Sequence, residues 1–353
     1  MIKKVQGNDN FLEKIGSLQA KFLLVGSYTK TAEIEGITVA GLPGFIEYTP
    51  ALDMEVLYYG FPKSMPDIAK MPDGPPSPVL IASAVRQLCS LPLHFVDAGL
   101  TISPKAPVTK IDASYSDSII DGAKIDAKNL FLEGKRYAQE ILKESELFIL
   151  GEVVPSGTTT AYAVTKALDY DCDGWFASSS AAKNISTLKR QVVDEALSKH
   201  ISTDRKDIFE VLSNVGDTMQ PFVAGMATVL SQKSHVVLGG GTQMAAVLAI
   251  LKALSQEGEN VNFENIALIT TKWIVEDSQS DISALLHAID PGFNAFYSDF
   301  DFSDSSVKNL RLYDEGYVKE GVAAGANIVY AYLNGVTQKQ ITAKVEQLYA
   351  SFA

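Results

Sequence analysis

The 353-residue sequence has few cysteines, few histidines and no long apolar run, and each absence excludes a class of protein. With only Cys89 and Cys172 present, no disulfide framework is predicted and a reducing compartment is expected. The four histidines are dispersed and no Cys-x-x-Cys pair occurs, so no metal site is predicted. No apolar run is long enough to cross a bilayer, and the N-terminus turns polar too early for a signal peptide. The sequence therefore predicts a cytoplasmic protein with no membrane partner.

The sequence also contains fewer basic than acidic residues. The chain carries 30 Lys and Arg against 42 Asp and Glu, a formal net charge of −12. A general nucleic-acid binder needs a basic face to neutralise phosphates, so nucleic acid is excluded as a partner. A local basic pocket for a single phosphate remains compatible with this charge. Hydrophobic residues at 46% and charged residues at 20% are ordinary for a soluble globular protein.

Several catalytic signatures are missing as well. The serine-hydrolase elbow Gly-x-Ser-x-Gly and the P-loop pattern do not occur. The triple glycine Gly239–Gly241 lacks the further spaced glycine of the dinucleotide-binding fingerprint. The remaining candidates for chemistry are carboxylates and glycine- or threonine-rich loops.

Short apolar runs that alternate with helical patterns are the main feature of the chain. Strands are predicted at 22–26, 93–99, 147–150, 235–238 and 266–271, and helices at 10–20, 79–88, 129–145, 159–168, 187–199, 219–230, 242–254, 321–333 and 336–349. This alternation is typical of an α/β fold, with a parallel, Rossmann-like sheet flanked by helices. We expect one α/β domain over 20–330, and helical segments at 1–19 and 331–353 that contribute to a small lobe. The Pro- and Gly-rich segment 62–78 is predicted to be an irregular loop.

The loop after the third predicted strand, at 151–160, combines one carboxylate, Glu152, with Gly157 and the threonines Thr158–Thr160. Backbone N–H groups at the start of the next helix, together with the helix dipole, favour an anion such as phosphate. The same residues are also typical of ordinary helix capping, so both interpretations stand at this point. Glu152 is unusual for a pure phosphate site and indicates that a proton or a hydroxyl is handled there.

The glycines of Gly239–Gly241, followed by Thr242 and Gln243, repeat this strand–turn–helix pattern. In a parallel sheet, this loop and the 151–160 loop lie at the same edge, where ligands bind. The turn is compatible with close approach of the backbone to a ligand and equally with tight internal packing.

Carboxylates also cluster near the C-terminus, at Asp314, Glu315 and Glu320. Glu320 lies in Lys319-Glu320-Gly321, directly before a helix rich in Ala and Gly. An acid at a helix N-terminus is commonly a favourable partner of the dipole. Next to a bound organic ring it is instead a candidate general base.

These elements occur in an order that resembles a known family. The order is Gly151-Glu152 and its threonine loop, Ser178–Ser180, the string Gly239 to Met244, and Lys319-Glu320-Gly321. It resembles nicotinate-nucleotide:dimethylbenzimidazole phosphoribosyltransferase, and more closely the divergent archaeal and cyanobacterial branch of that family. The likeness extends over about 78–333.

The resemblance implies a large parallel-sheet domain, a small lobe built from the terminal helices, and a homodimer. It implies transfer of the phosphoribosyl group from nicotinate mononucleotide to a benzimidazole-type base. The products are nicotinate and α-ribazole phosphate, which supplies the lower ligand of cobalamin. Because the leaving group departs from a positively charged pyridinium, neither a metal nor another cofactor is required.

The resemblance also assigns roles to individual residues. Glu320 matches the catalytic glutamate and Glu152 a second functional glutamate. Residues that match the phosphate- and substrate-binding positions are Gly157, Thr158, Thr159, Thr160, Ser178, Ser179, Lys189, Gly239, Gly240, Gly241, Thr242 and Gln243.

The sequence departs from the family pattern at three places. Thr158 replaces an asparagine after Pro155, Lys319 replaces the first glycine of a Gly-Glu-Gly turn, and the base-binding region around 75–87 differs. The acceptor is therefore dimethylbenzimidazole, adenine or another azole. A non-catalytic nucleotide-binding sensor is the alternative from a different class. A pyrophosphate leaving group would require Mg²⁺ and an Asp-Asp motif, which the sequence lacks.

Overall fold

Eight β-strands form one sheet in the computed structural model, which describes residues 1–41, 44–65, 74–177, 186–202 and 207–352. The strands are β1 (Ile2–Gln6), β2 (Ala20–Gly26), β3 (Leu93–Asp97), β4 (Thr109–Lys110), β5 (Leu147–Val153), β6 (His235–Gly239), β7 (Ile266–Thr271) and β8 (Asn294–Ser298). Their order is β1-β8-β7-β6-β5-β2-β3-β4. Every pair is parallel except β1–β8, which is antiparallel.

Fourteen α-helices surround this sheet within the same described residues. They are α1 (Asn10–Ile15), α2 (Thr49–Tyr59), α3 (Val79–Cys89), α4 (Ala127–Ile141), α5 (Gly157–Ala167), α6 (Ser186–His200), α7 (Ile208–Val215), α8 (Met219–Leu230), α9 (Thr242–Gln256), α10 (Lys272–Val275), α11 (Ile282–Ile289), α12 (Lys308–Arg311), α13 (Ala324–Leu333) and α14 (Gln338–Ala350). Because side chains alternate along a strand, the buried central strands contribute to the core on both faces. Leu23 and Val25 pack with α4, α8 and α9 on one face, whereas Phe22 and Leu24 pack with α3 and α13 on the other.

The strand order contains a topological switch point between β2 and β5. From β2 the chain moves outward through β3 and β4, then returns to the other side of β2 and continues from β5 to β8. In sheets of this kind, ligands bind in the crevice outside the carboxyl ends of the strands at the switch point. A ligand-binding site is therefore expected at the carboxyl end of β5.

The predicted α/β class, a Rossmann-like parallel sheet flanked by helices, is confirmed. All five predicted strands are present, but β5 continues through Val153, so Glu152 lies in the strand and not in the following loop. The strands β1, β4 and β8 were not predicted. Residues 1–19, predicted as a helical segment, contain β1 as well as α1, and β1 belongs to the main sheet.

None of the helices in the described ranges has the length and apolar character that crossing a membrane would require.

Candidate active site

A cavity of about 580 Å³ lies at the carboxyl end of β5. Its lining comes from α2, from the segment that leads into α3, from the starts of α5 and α9, and from the segment that precedes α13. Both candidate glutamates, Glu152 and Glu320, line it. The cavity is the switch-point crevice that the strand order predicts.

Two helices begin at this cavity. α5 starts at Gly157 after β5, and α9 starts at Thr242 after the neighbouring strand β6. Neither N-cap residue, Ser156 or Gly241, caps its helix with a side-chain hydrogen bond. The first N–H groups of a helix lack intrahelical partners and carry the positive end of the dipole. Two such ends side by side can bind an anion.

Side-chain oxygens at the start of α9 are also unsatisfied. Thr242 Oγ1 and Gln243 Oε1 are buried and have no hydrogen-bond partner within the described ranges. Both residues line the cavity. A Cβ at position 157 would lie only 2.0 Å from Gln243 Oε1, so a larger residue there would force the Gln243 side chain to move. Buried polar atoms are nearly always paired in native proteins, so a water or a ligand in the cavity could pair with these two oxygens.

Lys189 on α6 brings a cation to the same place. Its Nζ donates hydrogen bonds to Thr158 Oγ1 at 2.6 Å and to the Ala177 carbonyl at 3.1 Å, and only 5% of the residue is exposed. Neither of these partners is a carboxylate. Burial, followed by the nearby charge of Lys319, lowers the pKa of Lys189 to about 7. A buried amine without an anionic partner is costly, and a bound phosphate would remove that cost.

Glu152 lies in β5 with 4% of its surface exposed. Its Oε2 accepts a hydrogen bond from the Val154 N–H at 3.2 Å. Burial, followed by repulsion from Glu320 and Asp217, raises the pKa of Glu152 to about 8. At pH 7 this side chain is therefore mainly a neutral carboxylic acid that can donate a hydrogen bond.

Glu320 is held by donors from two elements. Its Oε1 accepts from the N–H groups of Gly321 and Gly325, at 3.2 and 3.3 Å, and its Oε2 accepts from Thr270 Oγ1 at 3.2 Å. Burial raises the pKa of Glu320 to about 7, and these bonds limit the rise. A carboxylate with this pKa can accept a proton at neutral pH.

The backbone after Glu320 is strained. Gly321 has a φ of 146°, and Val322 and Ala323 have φ values of 54° and 55°. A left-handed conformation is unfavourable for a β-branched residue such as Val322. Strain of this kind persists only where the surrounding structure fixes it, and it is concentrated at functional sites.

Lys319, the residue that departs from the family pattern, is not paired with Glu320. Its Nζ lies 2.7 Å from Asp277 Oδ2, and both side chains are almost fully buried. Its carbonyl accepts a hydrogen bond from Thr271 Oγ1. The ion pair thus ties the segment that carries Glu320 to the chain beyond α10.

The sequence-predicted site residues differ in where they lie relative to the cavity. Those that line the cavity are Glu152, Gly157, Thr158, Gly241, Thr242, Gln243 and Glu320. Lys189 contacts the cavity through Thr158, whereas Thr159 and Thr160 are fully buried, and Thr160 Oγ1 donates to Asp217 Oδ2 at 2.5 Å. Ser178 and Ser179 lie outside the described residues.

Gly239 and Gly240 do not line the cavity. A Cβ at position 239 would lie 2.7 Å from the Ala323 Cβ, and one at position 240 would lie 2.9 Å from the Met244 Cγ. Of the two interpretations of the triple glycine, tight packing describes these two positions. Only Gly241 faces the cavity.

Sequence reasoning did not identify Asp53 and Ser77, which also line the cavity. Asp53 lies on α2 and Ser77 lies 24 residues later, just before α3, and no local motif joins them. The one signal in the sequence is the presence of acids in an otherwise apolar helix. That signal is ambiguous, because Glu55 on the same helix serves the fold by accepting hydrogen bonds from the N–H groups of Lys63, Ser64 and Lys105.

No group of three or more His, Cys, Asp and Glu side chains among the described residues is arranged to hold a metal ion.

Comparisons with known proteins identify a family and a shared fold. Residues 84–262 match a family model described as a phosphoribosyltransferase (DBI_PRT). A UPF0284 protein of the archaeon Archaeoglobus fulgidus is 37% identical over 352 residues, which cover 99% of this chain and 98% of that protein.

Two crystal structures from Thermus thermophilus have a similar fold at 15% sequence identity. One, described as CobT, has a TM-score of 0.63 and covers 98% of this chain and 93% of its own. The other, described as nicotinate-nucleotide-dimethylbenzimidazole phosphoribosyltransferase, has a TM-score of 0.57 and covers 94% and 83%.

Proposed function

Because this chain belongs to the phosphoribosyltransferase family (DBI_PRT), we propose that it transfers a phosphoribosyl group from nicotinate mononucleotide to a benzimidazole-type base. The products are nicotinate and the α-ribazole phosphate of that base, an intermediate of cobalamin lower-ligand assembly. The choice of substrates is supported by the shared fold with a protein described as nicotinate-nucleotide-dimethylbenzimidazole phosphoribosyltransferase.

The observation that carries the proposal is the position of Glu320. This carboxylate lines the cavity together with the starts of α5 and α9, and its pKa of about 7 suits a general base at neutral pH. The positive helix ends and the buried Lys189 would bind the phosphate of the mononucleotide. On this proposal, one cavity would supply both an anion site and a base, and this reaction needs both.

The reaction balances without a metal. One ring nitrogen of the acceptor attacks the anomeric carbon of the ribose, and the bond from that carbon to the pyridinium nitrogen breaks. The electron pair of that bond neutralises the ring, so nicotinate leaves. The N–H proton of the acceptor passes to Glu320.

Glu152 has a different role in this proposal. As a mainly neutral carboxylic acid it would donate a hydrogen bond to a ribose oxygen or to the base, and so orient the substrate. Two carboxyl groups of similar chemistry thus serve as an acid and a base, because their surroundings differ.

The experiment is to mix the protein with nicotinate mononucleotide and dimethylbenzimidazole, without metal, and to follow both products by mass spectrometry. Glu320→Gln is expected to lower kcat by about 10²- to 10⁴-fold, the usual contribution of a general base. Glu315→Gln is the matched control, since Glu315 is exposed and does not line the cavity. Equal rates in the two variants would remove Glu320 from the mechanism.

A nucleotide-binding sensor on the same fold gives a different result. It would bind the mononucleotide but release no nicotinate with dimethylbenzimidazole, adenine or other azoles. The homodimer implied by the resemblance is part of the proposal, and light scattering during size-exclusion chromatography measures it.

A further inference from the structure

Asp53 is a buried carboxyl group that the proposed mechanism does not use. It lines the cavity, and 8% of its surface is exposed. Its Oδ1 accepts a hydrogen bond from Ser77 Oγ at 2.9 Å. Among the described residues, Ser77 is the only hydrogen-bond donor to this carboxyl group, and Oδ2 accepts none. Oδ2 is not one of the buried polar atoms that lack a partner, so it is open to the cavity, where a ligand can donate a hydrogen bond to it.

Contacts along the chain place this group on the same side of the cavity as the general base. Ser77 is followed by Pro78, whose ring lies 3.4 Å from the position that a Cβ on Gly321 would occupy. Gly321 directly follows Glu320. Tyr313, whose hydroxyl donates to the Pro76 carbonyl at 2.6 Å, has its pKa raised by burial and then by the nearby charges of Asp53 and Glu320.

The surroundings of Asp53 are apolar. Leu52 and Val56 of α2, together with Val79 and Leu80 of α3, also line the cavity, and they are close in sequence to Asp53 and Ser77. An apolar lining next to a carboxyl group suits a flat aromatic ring that carries a polar substituent.

We propose that the Asp53–Ser77 pair selects an acceptor base whose fused ring carries an amino or hydroxyl group that donates a hydrogen bond to Asp53 Oδ2. Ser77 fixes the orientation of the carboxyl group, because its hydroxyl donates to Oδ1 while it accepts from the Val79 N–H at 3.3 Å. The assignment of the ring as the acceptor rests on the proposed phosphoribosyl transfer. The binding preference itself does not.

The physical basis is the asymmetry of hydrogen bonding in a buried site. A ring with a suitable donor forms a hydrogen bond with Oδ2. A methyl-substituted ring instead displaces water from that oxygen and offers no hydrogen bond in its place. Dimethylbenzimidazole is therefore expected to bind more weakly than a ring that carries such a donor. The departures from the family pattern around 75–87 lie next to this pair.

The test measures dissociation constants of 5-aminobenzimidazole, 5-hydroxybenzimidazole, 5-methylbenzimidazole and 5,6-dimethylbenzimidazole by titration calorimetry. The full chain is used, at pH 7.5 or a nearby value and without nucleotide. The wild-type protein is expected to bind at least one polar-substituted base about 10-fold or more tightly than the methylated bases. The amino and hydroxyl compounds are titrated separately, and the ratio of their dissociation constants identifies which substituent is preferred.

Two variants distinguish the loss of one hydrogen bond to Asp53 from a general disruption of the base-binding pocket. Asp53→Leu has a similar shape but no acceptor, and it is expected to reduce the preference to about 1. Asp53→Asn retains an acceptor oxygen and is expected to keep part of the preference. Equal binding of all four bases by the wild type, no binding of any base, or an unchanged preference in Asp53→Leu would overturn the inference.

The same bases, supplied with nicotinate mononucleotide, distinguish this inference from the proposed function. Nicotinate release that is equally efficient with dimethylbenzimidazole would leave the transferase in place and remove the role of Asp53. A binding preference that depends on Asp53, without release of nicotinate, would retain the polar base site and remove the transferase.

Discussion

At the scale of single residues, the site depends on carboxyl groups in unequal environments. Burial raises the pKa of Glu152 to about 8 and that of Glu320 to about 7. The pKa of Glu320 rises less, because four hydrogen-bond donors, including the N–H groups of Gly321 and Gly325, stabilise its charged form. Between these two values the ionised Glu320 and the neutral Glu152 coexist, which is the combination that the proposed reaction requires.

This difference predicts a bell-shaped dependence of kcat/KM on pH. Activity is expected to rise through about pH 7 as Glu320 loses its proton, and to fall above about pH 8 as Glu152 ionises. Initial rates of nicotinate release between pH 5.5 and 9.5, or over a comparable range, measure both limbs.

Glu152→Gln provides the control for this prediction. Glutamine donates a hydrogen bond at every pH, so the upper limb is expected to disappear while the lower limb remains. An upper limb that persists in the variant would assign it to another group, of which the buried Lys189 is the first candidate.

At the scale of elements, the start of α13 positions Glu320, the proposed general base. Its start lies so close to the sheet that a Cβ at position 325 would be 2.1 Å from the Thr270 carbonyl carbon. A Cβ at position 239 would likewise meet Ala323. The small residues of this helix therefore bring Gly325 and its N–H group within reach of Glu320.

Substitution of one of these glycines should disturb both the fold and the site. Gly325→Ala is expected to lower the free energy of unfolding by about 1–3 kcal/mol through overpacking, and to lower kcat because the donor to Glu320 moves. Urea unfolding and nicotinate release measure the two effects.

Gly292→Ala is the matched glycine variant for this prediction. The nearest atom to a Cβ there, Asp290 Oδ1, is at the ordinary contact distance of 3.4 Å, and Gly292 does not line the cavity. This variant is expected to change neither the free energy of unfolding nor kcat. A loss of stability in Gly292→Ala equal to that in Gly325→Ala would contradict the packing argument.

Much of the architecture was predictable because the central strands are continuous apolar runs with glycines at their ends. The elements that were missed have weaker local signals. α2 was obscured by Pro50, which lies in the first turn of the helix, where proline costs no hydrogen bond. β8 is partly polar, and β1 is a half-exposed edge strand.

The site was predictable where it borders these strong elements and not elsewhere. Glu152, Gly157 and Gly241 adjoin the ends of central strands, so their position at the carboxyl edge follows from the parallel sheet. The Asp53–Ser77 and Lys319–Asp277 pairs join distant parts of the chain, and no local pattern specifies such contacts.

At the scale of the whole molecule, four carboxyl groups have raised pKa values: Asp53, Glu152 and Asp217 are buried, and Glu320 is half-buried. Burial is the largest cause for each, giving about 7 for Asp53, about 8 for Glu152, about 6 for Asp217 and about 7 for Glu320. Between the unfolded values near 4 and these folded values, the folded protein binds more protons than the unfolded chain. The stabilisation is thus complete below the unfolded pKa and is lost as the pH rises through the folded values.

We therefore expect the thermal midpoint of the ligand-free protein to fall as the pH rises from about 5 to 8. Above about pH 7 the fall becomes less steep, because the lowered pKa of Lys189 acts in the opposite direction. Differential scanning fluorimetry across this range measures the slope. Glu152→Gln removes one of the four groups and is expected to give a shallower slope, with the largest difference near pH 8. Parallel slopes for the two proteins would show that Glu152 ionises alike in the folded and unfolded states.

The cavity is lined by residues from almost the whole length of the chain, from Thr38 to Phe352. Because a ribosome makes the chain from its N-terminus, β5, β6 and the starts of α5 and α9 emerge well before Glu320. A chain whose synthesis has not yet reached Glu320 therefore lacks the proposed general base, whatever part of the sheet it has formed. On this proposal, the protein becomes competent for the reaction only near the end of its synthesis.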